Sequence, residues 1–137
     1  MIRLARASDI DKITAGALAA FAAKRISRVD PIRARAIVAD VLARSLALVD
    51  EDREGRVAAS MGLDRRRWDW SGEPYVIDRW TFASGSAGAL QLMIGRAQRI
   101  AERWGCKLYL GEHGGDQRVM RLYRIAGGDL AGALFRF

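Results

Sequence analysis

Apolar and polar positions along the chain change period several times, and each change marks an element. Ile2 to Arg6, "IRLAR", alternates apolar and basic, which predicts a short strand. Ile10, Ile13, Thr14, Ala17, Leu18 and Phe21 then share one face at helical spacing, behind a capping box of Ser8 with Asp11. Asp30-Pro31 supplies an N-cap and a first-turn proline for a second helix, roughly Pro31 to Ala43. From Ser45 the pattern shortens. "SLALVD" is an apolar run, "EDREG" a polar turn, and "RVAASMGL" returns as the second strand of a hairpin continuing into "DRRRWDW". The first strand of that hairpin reads as buried on both faces, and Trp68 and Trp70 fall on one side.

Ser71-Gly72 turns the chain into a further strand, Pro74 to Ala83. Strict alternation puts Val76, Asp78, Trp80 and Phe82 on one of its faces and Tyr75, Ile77, Arg79 and Thr81 on the other. A loop of small residues, Ser84 to Gly88, then enters a long amphipathic helix with Ala89, Leu92, Met93, Ala97, Ile100, Ala101 and Trp104 as its buried stripe and Gly105 as its stop. Such a loop leaves backbone N–H groups uncovered at the positive end of a helix dipole, which makes it a place for a phosphate. "CKLYL" predicts a strand, "DQRVMRLYRIAGG" a short helix closed by Gly127 and Gly128, and "LAGALFRF" a last strand, or two joined at Gly132.

The order is β-α-α-β-β-β-α-β-α-β(-β): a meander followed by a strand–helix–strand crossover. That order predicts an α/β (α+β) fold, a mixed, mostly antiparallel sheet of about 6–7 strands with about four helices on both faces. A single domain over residues 1–137 is the plain expectation for this length.

Composition narrows this a little. No run approaches the roughly 20 apolar residues of a membrane span, and the N-terminus has no signal-peptide pattern. Cys106 is alone, which leaves no disulfide framework and no Cys-based metal site, and points to the cytoplasm. The net charge is +7, with every basic residue an arginine except Lys12, Lys24 and Lys107. That balance favours anionic partners, nucleotide cofactors among them. No nucleic-acid-binding motif accompanies it, and charge alone does not make the chain a nucleic-acid binder.

With these elements in place, the chain resembles the GCN5-related N-acetyltransferase (GNAT) family over essentially its whole length. The residues that carry the likeness are "MIRLARASDID", the hairpin "VDEDREGRVAASMGL", the helix end "AQRIAERWGCKLYL" and the segment "RLYRIAGG", with Asp116, Val119, Leu122, Tyr123, Gly127 and Gly128 at matching places. The family's pyrophosphate loop reads Gln/Arg-x-x-Gly-x-Gly/Ala between the fourth strand and the long helix. Here one register gives Gly85, Gly88 and Leu90, and another gives Phe82, Gly85 and Ala87. Neither supplies the Gln or Arg.

The resemblance implies a compact acyl-CoA-dependent N-acetyltransferase. In that chemistry a primary amine attacks the thioester of acetyl-CoA directly, without a covalent enzyme intermediate and without a metal. It implies Tyr123 as proton donor to the departing thiolate, a phenol being a workable acid for that step. The cofactor-binding candidates are Trp80 and Phe82 on the strand beside the pantetheine, the loop and helix start Gly85, Ser86, Ala87, Gly88 and Ala89, and Asp116. Asp116 reads equally well as a helix cap. For the general base, Glu73 and Asp78 rank level, and Glu112 and His113 lie in the loop after the fifth strand. A water relay is the alternative to all of them.

A different class of reading is a GNAT-fold module that binds or assembles without catalysis, as in phage or prophage proteins. The departures in the loop support it. A homodimer fits either reading, since a strand meander with an exposed end offers a pairing edge.

Overall fold

The computed structural model describes residues 1–24, 28–84, 87–112 and 116–132. Five strands form one sheet in the order β1-β2-β3-β4-β5: β1 (Ile2–Leu4), β2 (Leu46–Glu51), β3 (Val57–Arg67), β4 (Pro74–Ala83) and β5 (Lys107–Tyr109). The first four are antiparallel in sequence, and β5 joins β4 in parallel through the crossover helix α3 (Ala87–Arg103). Helices α1 (Ile10–Lys24) and α2 (Pro31–Arg44) cover one face. Helices α3 and α4 (Gln117–Ile125) cover the other.

The sheet has five strands where six or seven were expected. Leu130 to Gly132, at the start of the predicted final strand, are not extended pairing residues, and the remainder of "LAGALFRF" lies outside the described residues. Among the described residues, no helix is long and apolar enough to cross a membrane.

Local chemistry accounts for most element ends. Asp30 caps α2 by accepting from the backbone of Ile32 at 2.9 Å. Gly105 stops α3 at φ 64°, a conformation that costs residues with a Cβ. The start of α1 differs from the expected Ser8–Asp11 box. A 3-10 turn, Ala7–Asp9, precedes it, and Asp9 instead accepts from the Arg6 backbone at 2.7 Å and from both nitrogens of the Arg3 guanidinium fork at 2.7 and 2.9 Å. Asp9 takes the capping place there, held by the bidentate arginine.

The core lies on both sides of the sheet. Ala47, Leu48 and Val49 of β2 are all buried, as a central strand covered twice requires. Against α3 pack Leu48, Met61, Leu63 and Val76; against α1 and α2 pack Val49, Val57, Trp80 and Phe82. The buried stripe of α3 runs through Leu90, Met93, Ile94, Ala97 and Ala101, while Leu92 is 65% exposed. Leu92 had been assigned to the stripe by periodicity. The helix is rotated so that Leu90 and Ile94 take the inward places.

Val76 and Trp80 therefore face opposite ways, contrary to strict alternation along β4. The cause is a β-bulge. Gly62 pairs with Trp80 and Leu63 pairs with Asp78, which leaves Arg79 as an extra residue on β4. Beyond it each side chain changes face. Trp80 lies flat over Gly62, where a Cβ would overlap its indole, and its ring N–H donates to the Ser60 hydroxyl at 2.9 Å. β3 ends at Arg67, so Trp68 stacks on Tyr75 with ring centroids 4.1 Å apart, whereas Trp70 stands in the turn, 97% exposed.

One carboxylate inside the fold is wholly covered. Asp64 accepts from Arg44 at 2.7 and 3.1 Å, from Arg66 at 3.0 Å and from Arg79 at 3.3 Å. Burial pushes its pKa upward, and the three arginines outweigh that and hold it at about 2. Arg3, foremost, holds Asp9 at about 2 as well.

Two predictions follow from this packing. Both carboxyl groups sit below their ordinary 3.8 in the folded protein. Their contribution to stability is therefore complete above about pH 4 and is lost as the pH falls toward 2. A series of urea denaturation curves across that window should show the midpoint falling, and an unchanged midpoint would contradict the ion pairs. Replacing Gly62 with Ala should destabilise the fold by about 1–3 kcal/mol, because the Trp80 ring has to move. Equal or greater stability would show that the ring has room.

Candidate functional site

Beside the bulge, the two parallel strands part. β4 and β5 pair at Tyr75–Lys107, Val76–Leu108 and Ile77–Tyr109, and there the pairing ends, although β4 continues to Ala83. From Arg79 to Ala83 no strand pairs with that edge among the described residues. A cleft of about 940 Å³ opens at this end of the sheet. Its walls are Thr81 to Ala83 of β4 with Ser84 after it, Gly111 and Glu112 after β5, and Asp116, Val119 and Tyr123 of α4 and its cap. On the far side stand Lys12, Ala15, Gly16 and Ala19 of α1 with Asp52, Gly55 and Arg56 of the β2–β3 turn. Leu90, in the first turns of α3, completes the lining.

Small residues on α1 make that far wall. A Cβ on Gly16 would come within 2.6 Å of the Phe82 ring, so Phe82 is seated edge-on against the helix backbone. The ring both fills the core under α1 and forms part of the cleft surface. Ser84 closes this end of β4, its backbone N–H and its hydroxyl both donating to the Ala58 carbonyl, at 2.8 and 2.9 Å.

The polar groups of the cleft form a connected set. Asp78 accepts from the Thr81 hydroxyl at 2.6 Å and from the Gly111 backbone N–H at 2.9 Å. The Tyr123 hydroxyl donates to the Gly111 carbonyl at 3.2 Å. Burial first, then the negative charges of Asp78 and Glu112, push the Tyr123 pKa well above the ordinary phenol value, with the Thr81 hydroxyl pulling the other way. Tyr123 is therefore fully protonated at neutral pH. Glu112 accepts from the Asp116 backbone N–H at 2.9 Å, and Asp116 caps α4 by accepting from Arg118 N–H at 2.9 Å. The cations of the far wall are matched: Lys12 to Glu51 at 3.2 Å, and Arg56 to Asp52 at 3.0 Å.

The residues singled out from sequence are thus distributed unevenly. Tyr123, Phe82 and Asp116 line the cleft, and Asp78 is bonded to two of its wall residues. Ala87 begins α3, with Gly88 and Ala89 next in its first turn; Gly85, Ser86 and His113 lie outside the described residues. Trp80 is buried on the α1–α2 face and bonded to Ser60, away from the lining. Glu73 is exposed in the β3–β4 turn, at the opposite end of β4 from Thr81 to Ser84, and the structure does not bring it to the cleft.

The helix boundary also bears on the loop registers. Gly88 and Leu90 fall inside α3, and Leu90 is buried. In the register through Phe82, Gly85 and Ala87, the last position is the first residue of α3, and Gly85 lies outside the described residues. Sequence reasoning missed Gly16, Gly111 and the β2–β3 turn as wall elements. A lone glycine within the Ala-rich α1 was the one available signal. Among the described residues, no group of His, Cys, Asp and Glu side chains could hold a metal ion.

No protein-family model matches the chain, and no curated protein does. Solved structures do match it. The ribosomal-protein-alanine N-acetyltransferase from Brucella melitensis biovar Abortus superposes with a TM-score of 0.72 at 19% identity, covering 100% of this chain and 99% of that one. An acetyltransferase from Trypanosoma brucei gives 0.73 at 18% identity, with 100% and 97% coverage. AAC(6')-Iy, solved in complex with the bisubstrate analogue CoA-S-monomethyl-acetylneamine, gives 0.76 at 12% identity, with 100% and 95% coverage. At these identities the likeness is one of architecture, and it spans every described element: the chain has the fold of the GCN5-related N-acetyltransferases.

Proposed function

We propose that the chain is an N-acyltransferase that moves an acetyl group from acetyl-CoA to a primary amine by direct attack. The observation that carries this reading is the parting of β4 from β5 after Ile77 with Tyr123 on the wall of the opening. An extended amide-bearing arm fits an open strand edge because it pairs with the backbone as a strand would. The volume of the cleft, about 940 Å³, supports transfer within one complex. The neighbour solved with CoA joined to an acetylneamine supports the same class of chemistry.

In this mechanism the amine nitrogen attacks the thioester carbonyl carbon. Backbone N–H groups of β4 near the bulge polarise the carbonyl oxygen. The C–N bond forms, the C–S bond breaks, and Tyr123 gives its proton to the departing sulfur. A water relay takes the proton lost by the amine. The raised pKa of Tyr123 keeps the acid charged with its proton at any physiological pH. The pyrophosphate meets backbone N–H groups at the start of α3, where the helix dipole also favours an anion.

A second reading, a GNAT-fold binding or assembly module without catalysis, is favoured by one feature. The first position of the pyrophosphate motif holds Phe82 in one register and Gly85 in the other, and neither side chain can donate a hydrogen bond to a phosphate. Side-chain help for the pyrophosphate is then missing, and only the backbone contacts remain.

Acetyl-CoA should raise the thermal midpoint of the protein, since a ligand bound only by the folded state stabilises it by about 2.7 kcal/mol at a hundred times its Kd. No shift at millimolar acetyl-CoA would overturn the enzyme reading and leave the module. With binding established, Tyr123→Phe should lower kcat on the order of 10²-fold while leaving the acetyl-CoA KM nearly unchanged. Equal turnover in the two proteins would remove Tyr123 from the chemistry.

A further inference from the structure

Asp78 sits where β4 and β5 begin to part, one residue before the bulge. Both its oxygens are engaged across that gap, one by Thr81 on β4 itself and one by the backbone N–H of Gly111 just past β5. Gly111 is held from its other side by the Tyr123 hydroxyl on its carbonyl. A single peptide segment is thus gripped at its N–H by the strand and at its C=O by the α4 tyrosine. The Thr81 bond exists only because Arg79 is extra. In an unbulged strand residues 78 and 81 would point to opposite faces.

We propose that Asp78 is a positioning residue that ties the Gly111 segment to β4 and so fixes the proton donor Tyr123 in the cleft, rather than a general base. This rests on the acetyltransferase reading above and assigns a role within it. Hydrogen bonds to a carboxylate favour its charged form, so a carboxylate with two short donors takes up a proton less readily. As a tie, it loses little by becoming a neutral amide. An Asn at position 78 still accepts from Gly111 N–H through its oxygen and donates to Thr81 Oγ1 through its nitrogen.

The charge of Asp78 also acts on Tyr123, together with that of Glu112 from the segment after β5. Asp116 lines the cleft at the head of α4, and Lys12 and Arg56 across it are paired to Glu51 and Asp52. Removing one of the negative charges eases ionisation of the phenol. Burial, the larger cause, and Glu112 would still hold it above the ordinary phenol value.

The test compares Asp78→Asn with Asp78→Ala in the full chain. D78A should lose turnover on the order of 10²-fold, the effect of a catalytic group displaced by about 1 Å. D78N should lose no more than about fivefold, since a neutral acceptor bond is weaker than a charge-assisted one but still forms. Turnover in D78N as low as in D78A would make Asp78 the base and overturn the proposal. Amide hydrogen exchange at Gly111 gives a readout independent of acetyl-CoA. The amide should be protected in the parent and in D78N and should exchange faster in D78A, or in Thr81→Val if D78A does not fold. Unchanged protection would equally overturn the tie. If the parent neither binds nor turns over acetyl-CoA, the function proposal fails by itself while the exchange experiment still reports on Asp78.

Discussion

The site of this protein depends on one extra residue in β4. Arg79 has no partner on β3, and that single insertion does three things at once. It turns Trp80 and Phe82 toward α1 and α2 while Val76 faces α3. It places Thr81 on the same face as Asp78, within hydrogen-bond reach. It coincides with the point where β5 leaves β4, so the edge of β4 beyond it is open to something other than a strand. A bulge bends and twists the strand that carries it, which is why the parting occurs here and not further along.

The bulge is held by two sets of contacts on the α1–α2 face of the sheet. Arg79 reaches to the buried carboxylate of Asp64, which Arg44 at the end of α2 and Arg66 on β3 also bind. Parting this carboxylate from its arginines would leave a charge in the interior uncompensated, which disfavours arrangements that separate them. On the neighbouring strand Gly62 leaves room for the Trp80 ring to lie flat, and Ser60 satisfies its N–H. Polar satisfaction and close packing thus converge on the same irregularity. A departure from regular geometry persists only when its surroundings over-determine it.

Periodicity reports which residues share a face only while the element is regular. For α1 and α2 it was reliable, and Asp30-Pro31 marks the start of α2 and Gly55 the turn of the hairpin by local chemistry, although β3 stops at Arg67, short of the expected Trp68 and Trp70. It misassigned the faces of β4 because a bulge has no signature in alternation; Arg79 reads like any other polar position. It placed Leu92 in the core of α3 because a stripe one residue off is equally periodic, and only packing against Met61 and Val76 chose Leu90 and Ile94. Tyr123 and Asp116 were legible as a helix face and its cap. Gly16 and Gly111 were not, since a glycine gives no side-chain signal of the backbone it exposes.

The order of elements, the ends of the helices and the presence of a small-residue loop before α3 are local properties, and the sequence by itself determined them. The resemblance built on that order agrees with the architecture observed. Which carboxylate belongs to the cleft was decided only by tertiary structure. Glu73 and Asp78 are five residues apart on one segment, and their chemistry in isolation is nearly the same. One is exposed in a turn while the other bridges two strands, because register, bulge and the parting of β4 from β5 are set by contacts between residues distant in the chain.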